Sequence, residues 1–183
     1  MQSLRHPSGS HAGFIEDFLR LVDECAARML MLEDTDASYP RAAGKWSRKE
    51  IVGHLIDSAI NNHARFVRAV QAADLVFEGY DQDAWVRVQR YQDRSWPALV
   101  RAWRVYNLQI AEVIQSTPPA ELERPRRRHN LHEIAFRRVP PDADATLGYL
   151  VEDYVAHLCH HLHQVLDQDA RSVAALASVN VQD

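Results

Sequence analysis

The sequence predicts an all-α protein, a four-helix bundle with long crossover connections, and three observations carry that prediction. Four separate apolar stripes recur at helical spacing. Residues suited to capping a helix (Ser47, Ser95 and Thr146) stand before three of them. No segment sustains the alternation of a strand. Amphipathic helices without strands bury their apolar faces against one another, and a bundle is the simplest way to do so.

The first stripe, Phe14, Phe18, Leu21, Cys25 and Met29, predicts a helix from Phe14 to about Leu32. A polar turn follows, and Tyr39-Pro40 enforces an extended connection. Ser47-Arg-Lys-Glu50 has the form of a capping box opening a second helix that can run to about Ala72. Its face reads Ile51, Leu55, Ser58, Asn62, Phe66 and Ala69. Residues 74–93 read as a long crossover with a short helical turn around Trp85. Ser95 is placed to cap the third helix, with Pro97 tolerated in its first turn. That helix carries Leu99, Trp103, Tyr106, Ile110 and Val113, and Thr117-Pro-Pro stops it. An arginine-rich connection with Arg124, Arg126, Arg127 and Arg128 reads as a solvated loop, with gripping of an anionic ligand the other reading. Thr146 opens the fourth helix. The bundle is expected over residues 13–167, after a disordered leader at 1–12 and before a tail at 168–183 with a short helix near Val173 to Ala177. The first connection looks short and the next two long, which argues against a simple up-down-up-down order.

At 183 residues the chain has the length for one domain with a full core, and 46% hydrophobic with 25% charged residues is ordinary globular composition. A net charge of −4 argues against a nucleic-acid partner. No apolar run approaches the ~20 residues that span a bilayer. The amino terminus lacks an apolar signal core, so a cytoplasmic location is expected. Cys25 and Cys159 have no paired spacing, which makes a disulfide framework improbable.

The fourth helix holds four of the ten histidines within seven residues, at His157, His160, His161 and His163. His157 and His161 are i and i+4, about 40° apart around the axis and one turn apart along it. That is the geometry of a two-histidine metal clamp. It equally suits two histidines bonded to neighbouring side chains, and spacing alone leaves both readings open. His160 and His163 fall off that face, and Cys159 lies opposite it. On the second helix His54 is a candidate third ligand, beside a polar side formed by Asp57, Ser58, Asn61 and Arg65. Three neutral imidazoles suit zinc, nickel, cobalt or copper. Trp46, Trp85, Trp96 and Trp103 read as core or pocket wall. Glu-x-x-His pairs, His-Glu-x-x-His and a phosphate-cradling glycine loop are all absent.

The segments Gly44-Lys-Trp-Ser-Arg-Lys-Glu-Ile-Val-Gly-His54-Leu-Ile-Asp-Ser, Asn62-His-Ala-Arg-Phe-Val and Asp153-Tyr-Val-Ala-His157-Leu-Cys-His-His161 resemble the DinB-like superfamily, particularly its YfiT-like branch, from about Phe14 to Leu166. In that superfamily the three histidines hold one divalent metal, usually zinc or nickel. The resemblance therefore implies His54, His157 and His161 as the ligands here. Known activities of the superfamily include transfer and isomerisation with low-molecular-weight thiols such as bacillithiol or mycothiol.

The first expectation is thus a metal-dependent enzyme that transfers a low-molecular-weight thiol cosubstrate to an electrophilic small molecule. The alternatives are a metal-dependent hydrolase of a small amide or ester and a non-enzymatic metal-binding stress-response protein. Asp57 is the candidate catalytic residue, orienting a water, taking the thiol's proton or holding a histidine ring. Asn61 and Arg65 are candidates for substrate binding, Arg65 offering its charge to an acidic group. Competition from protons at ordinary imidazole pKa values predicts metal loss below about pH 6.

Bundles of this kind often pair through helix faces, and the first and third helices have aromatic residues to spare, so a homodimer is expected. Light scattering at micromolar concentration should give twice the chain mass of 20.9 kDa; a value of one chain mass rejects the dimer.

Overall fold

The computed structural model describes residues 11–40 and 42–166. Among these the helices are α1 (His11–Leu30), α2 (Asp34–Ser38), α3 (Arg48–Gln71), α4 (Gln82–Gln89), α5 (Trp96–Ser116), α6 (Pro119–Glu123), α7 (Leu131–Ile134) and α8 (Leu147–Val165), with a 3-10 turn at Tyr91–Asp93. The four long ones, α1, α3, α5 and α8, are the four predicted stripes, and together they form a four-helix bundle. Helix α1 starts at His11, inside the leader expected over 1–12. The rest of that leader, the tail over 168–183 and the short helix near Val173 lie outside the described residues. Only isolated bridges stand in for strands among the described residues. No helix there is long and apolar enough to cross a membrane.

The main packing pairs are α1 with α5, α5 with α3, and α3 with α8; α8 closes more lightly on α1. Consecutive long helices α1 and α3 therefore stand diagonally. The first connection is longer than the sequence suggested, because residues 31–47 include α2 and cross to the diagonal corner. At the centre, Phe18 and Phe66 meet the Tyr154 ring edge-on. The Tyr154 hydroxyl donates to Asn107 Oδ1 at 2.6 Å, so α8 is tied to α5 where all four helices converge. Trp96 and Trp103 are fully buried, and Trp96 Nε1 donates to the Met29 carbonyl at 2.7 Å.

Two of the three expected caps are made. Ser47 and Glu50 form the full capping box of α3, and Thr146 accepts from the Tyr149 N–H at 3.0 Å. Ser95 makes no side-chain cap. Pro97 has no N–H to offer, and the Ala98 N–H is taken by the Ser95 carbonyl. The carboxylate of Asp34 from α2 serves instead, accepting the Trp96 N–H at 2.8 Å while pairing with the buried Lys49 at 2.7 Å. The arginine run is not a solvated loop throughout. Arg126 is buried, donating to the Ala69 carbonyl at 3.0 Å and pairing with Glu121 at 3.2 Å. Arg124 donates to the Ala72 carbonyl and Arg128 pairs with Asp74. These side chains staple the connection to the end of α3.

The crossover before α5 folds back onto α3. Arg90 takes a left-handed backbone conformation (φ 52°), which ends α4 and turns the chain into Tyr91. The Tyr91 ring lies over Gly53 of α3, where a Cβ would overlap ring carbons. Gly→Ala within a helix ordinarily stabilises by roughly 0.5–1 kcal/mol. Here Gly53→Ala should instead cost about 1–3 kcal/mol through overpacking. The urea midpoint of the variant should fall with its m-value unchanged; a midpoint equal to or above that of the wild type contradicts the close approach.

Candidate metal centre

Helix period sets the site. His54 sits nearly two turns inside α3, and His157 and His161 occupy adjacent turns of α8, the helix packed against it. The three rings meet edge to face, with centroids 5.1 Å (His54–His157), 4.8 Å (His54–His161) and 4.6 Å (His157–His161) apart. One nitrogen from each lies within 4.8 Å of the other two. His54 Nε2 and His157 Nε2 are 3.2 Å apart. Two nitrogens on one tetrahedral zinc stand about 3.3 Å apart at ordinary zinc–nitrogen lengths, so the donor set fits a divalent ion.

The far side of each ring decides which nitrogen is bare. His161 Nδ1 is bonded to Gln164 Oε1 at 3.0 Å, and His157 Nδ1 stands 3.5 Å from Ser58 Oγ. A carbonyl-type acceptor at Nδ1 keeps the proton there and leaves Nε2 of His161 free for a ligand. Among the described residues His54 Nδ1 is buried without a partner, as is Asp57 Oδ2 one turn along the same helix. Asp57 Oδ1 accepts from the Tyr91 hydroxyl at 2.6 Å and from Gln89 Nε2. Burial raises the Asp57 pKa, and these two donors act against that rise.

Apolar and aromatic walls complete the surroundings. Trp46 lies 5.2 Å from His54, as a pocket wall should. Phe136, although 48% exposed, packs on His157 at 5.5 Å and on His160 at 5.4 Å. It is held there by Asp153 of α8, whose buried carboxylate accepts the Phe136 and Arg137 N–H groups at 2.9 and 2.6 Å. His160 stays outside, its Nε2 3.0 Å from Gln164 Nε2. Asn61 points its amide at the Asp57 carbonyl (2.8 Å). Arg65 is buried, donating to the Glu78 carbonyl at 2.9 Å and to Asn62 Oδ1 at 3.5 Å.

The structure thus brings His54, His157 and His161 together with Asp57 one turn from His54, and turns Asn61 back onto its own helix. Sequence reasoning missed Gln89, Tyr91, Phe136 and Gln164. Gln164 is three residues after His161, so helical spacing could have pointed to it. Gln89 ends the short helix α4, Tyr91 opens the 3-10 turn after it and Phe136 comes from an irregular stretch, so no long periodic stripe marks them.

Burial, reinforced by the neighbouring imidazoles, pushes the pKa of His54 and of His157 down to about 3. In the metal-free chain both rings therefore stay neutral below the ordinary imidazole window. The unfolded chain, with histidines near 6.5, takes up protons that the folded chain refuses between about pH 6.5 and 3. Stability of metal-free protein should accordingly fall as pH drops through that window. Asp57 shifts in the opposite sense, so the informative quantity is the difference between wild type and His157→Gln. Denaturant unfolding at pH 7, 6, 5 and 4 should show a shallower acid loss in the variant; identical slopes contradict a buried neutral His157.

A family model described as the DinB superfamily matches residues 16–165. A protein of Bacillus mycoides (strain KBAB4), provisionally named a metal-dependent hydrolase, is 24% identical over 174 residues, covering 88% of this chain and 92% of that one. A protein of Oceanobacillus iheyensis with the same provisional name is 24% identical over 153 residues, 82% of this chain and 79% of the relative. Among solved structures, YfiT from Bacillus subtilis, described as a probable metal-dependent hydrolase with an unusual four-helix bundle topology, superposes with a TM-score of 0.72. That match is at 15% identity over 94% of this chain and 93% of YfiT, so it speaks for the fold alone. By the span of the family match, this chain belongs to the DinB superfamily.

Proposed function

We propose that the chain is a metal-dependent hydrolase of a small amide or ester, with one divalent ion, zinc or nickel, held by His54, His157 and His161. The observation that carries this reading is the convergence of three imidazole nitrogens, with no fourth ligating side chain in the group among the described residues. Structural zinc sites are normally closed by four protein ligands, whereas three leave a position for a reacting molecule. Such an ion, when bound, makes water a nucleophile near neutral pH and polarises a carbonyl. The names of the two curated relatives support the same reading.

The chain's own residues supply orientation and proton transfer. Ser58 and Gln164 hold the outer nitrogens of His157 and His161. Asp57 is the base. Tyr91 and Gln89 grip one carboxylate oxygen and so fix the direction of the other, which has no partner. A carboxylate whose pKa is raised by burial is a better proton acceptor than a solvated one. Trp46 and Phe136 flank the rings and restrict the approach of bulk water.

Transfer of a low-molecular-weight thiol is the second reading, and it needs that thiol as a cosubstrate. Burial pushes Cys159 up to about 11 and Cys25 up to about 12, so neither side chain is a thiolate near neutrality.

Elemental analysis of untagged protein should find close to one divalent ion per chain. Full retention after removal of any two of the three histidines rules out the ligand set. Metal-loaded protein should cleave members of an ester and amide panel without added thiol, and Asp57→Asn should lower kcat by roughly 10²–10⁴ with metal content intact. Turnover seen only when bacillithiol, mycothiol, glutathione or cysteine is supplied would replace hydrolysis by thiol transfer.

A further inference from the structure

We propose that Arg65 and Tyr80 form an anion subsite beside the histidine triad, which receives a single carboxylate of the substrate. The inference deepens the hydrolase reading by naming a substrate class, and rests on it only for what happens at the triad.

Arg65 is 8% exposed, and among the described residues no carboxylate lies within ion-pair distance of it. Its recorded partners are a backbone carbonyl and a side-chain amide oxygen. Buried cations are ordinarily paired, because desolvation is offset only by an opposite charge or a full set of acceptors. The other buried lysine and arginine side chains among the described residues obey that rule: Lys49 pairs with Asp34, and Arg126 with Glu121. Arg65 is the exception, and its position on α3 is specific. Ser58, Asn62 and Arg65 share the helix face that His54 begins, and Asn62 Nδ2 bonds to the Ser58 hydroxyl at 3.3 Å. Ser58 in turn stands 3.5 Å from His157 Nδ1. A row of polar groups thus runs from the triad to the guanidinium.

Tyr80 supplies the second donor. It comes from the connection between α3 and α4, half-buried, with its ring 4.9 Å from Trp85. Arg65 donates to the Glu78 carbonyl two residues earlier at 2.9 Å, which brings this segment to the guanidinium, and the charges of Arg65 and Asp57 both act on the Tyr80 hydroxyl. Burial pushes its pKa up to about 12, so at neutral pH it remains a hydrogen-bond donor. A planar guanidinium and one phenol match the two oxygens of a carboxylate. The nearby Asp57 works against a second negative charge, which disfavours a phosphate dianion. Seven residues separate Ser58 from Arg65, about 10 Å of helix. Helical side chains lean toward the amino terminus, which carries the guanidinium back toward the triad. The matching substrate is short, with its carboxylate a few bonds from the reacting carbonyl.

The test is calorimetric titration of the full-length protein, as purified and after metal removal, with glutarate and with its neutral diamide. Glutarate should bind in both forms and the diamide in neither. Arg65→Met should weaken glutarate about tenfold or more, and Tyr80→Phe severalfold. Because Arg65→Met removes an unpaired buried cation, its unfolding temperature should be unchanged or higher. The proposal is overturned if wild type does not bind glutarate, if binding needs the metal, or if both variants bind it as wild type does. It is equally overturned if Arg65→Met melts lower while Tyr80→Phe leaves glutarate affinity intact, since Arg65 is then only a tether for the Glu78 carbonyl. No turnover enters the titration, so its failure leaves the hydrolase reading standing, and failure of hydrolysis leaves the subsite standing.

Discussion

The contact between the polar faces of α3 and α8 is the constraint on which the rest of this structure depends. Helices usually meet through apolar side chains, yet here three imidazoles and a serine hydroxyl occupy that seam, with the Asp57 carboxylate at its flank. A buried polar group left without partners costs about 1–3 kcal/mol. The seam is tolerable because the imidazoles are neutral and their outer nitrogens are mostly satisfied. The exceptions, His54 Nδ1 and Asp57 Oδ2, are adjacent in sequence to within one turn. Other buried polar atoms without a partner among the described residues, such as Trp103 Nε1 and Arg126 Nε, are scattered, whereas these two lie one turn apart beside three converging imidazoles, where a ligand can complete them.

The short elements make sense as supports for that seam. The left-handed turn at Arg90 carries Tyr91 over Gly53 and onto Asp57, so the carboxylate is oriented by a segment far along the chain. Asp153, one turn before His157, seats Phe136 against the rings through two backbone N–H groups. Asp34 joins α2, α3 and α5 at the start of the helix that bears His54, and Arg48 Nε donates to the Val165 carbonyl at the end of α8. Each connection therefore contributes a side chain or a backbone group that fixes either a histidine-bearing helix or a neighbour of the site. The long connections are not decoration on the bundle; they hold its polar centre in one geometry.

The charge pattern is also consistent across the site. Neutral histidines would leave a divalent ion held there with its full electrophilic character, and burial disfavours the charged form of both Asp57 and Arg65 nearby on α3. Burial weakens the charged form of each titratable group, but by different routes. Asp57 retains two donors, His54 and His157 retain each other's proximity, and Arg65 retains only oxygen dipoles. Groups pushed apart in this way are suited to distinct roles.

Reading the chain in one dimension reached the four long helices, two of the three caps, and the face shared by His157 and His161. Each depends on spacing within a single helix, and helical period converts spacing directly into direction. The capping box at Ser47 is local in the same way. Ser95 misled because the donors it would have served were removed by Pro97 and by its own carbonyl, while a carboxylate 61 residues earlier took over. Gln89, Tyr91 and Phe136 could not be read at all, since they arrive from the segments between the long helices, whose paths are set by packing. The diagonal placement of α1 and α3 and the buried state of Arg65 belong to the same class. Sequence alone therefore determined what each helix presents on its faces. Only the tertiary structure decided which faces meet and which distant residues orient Asp57, because those choices rest on the burial of surfaces from several segments at once.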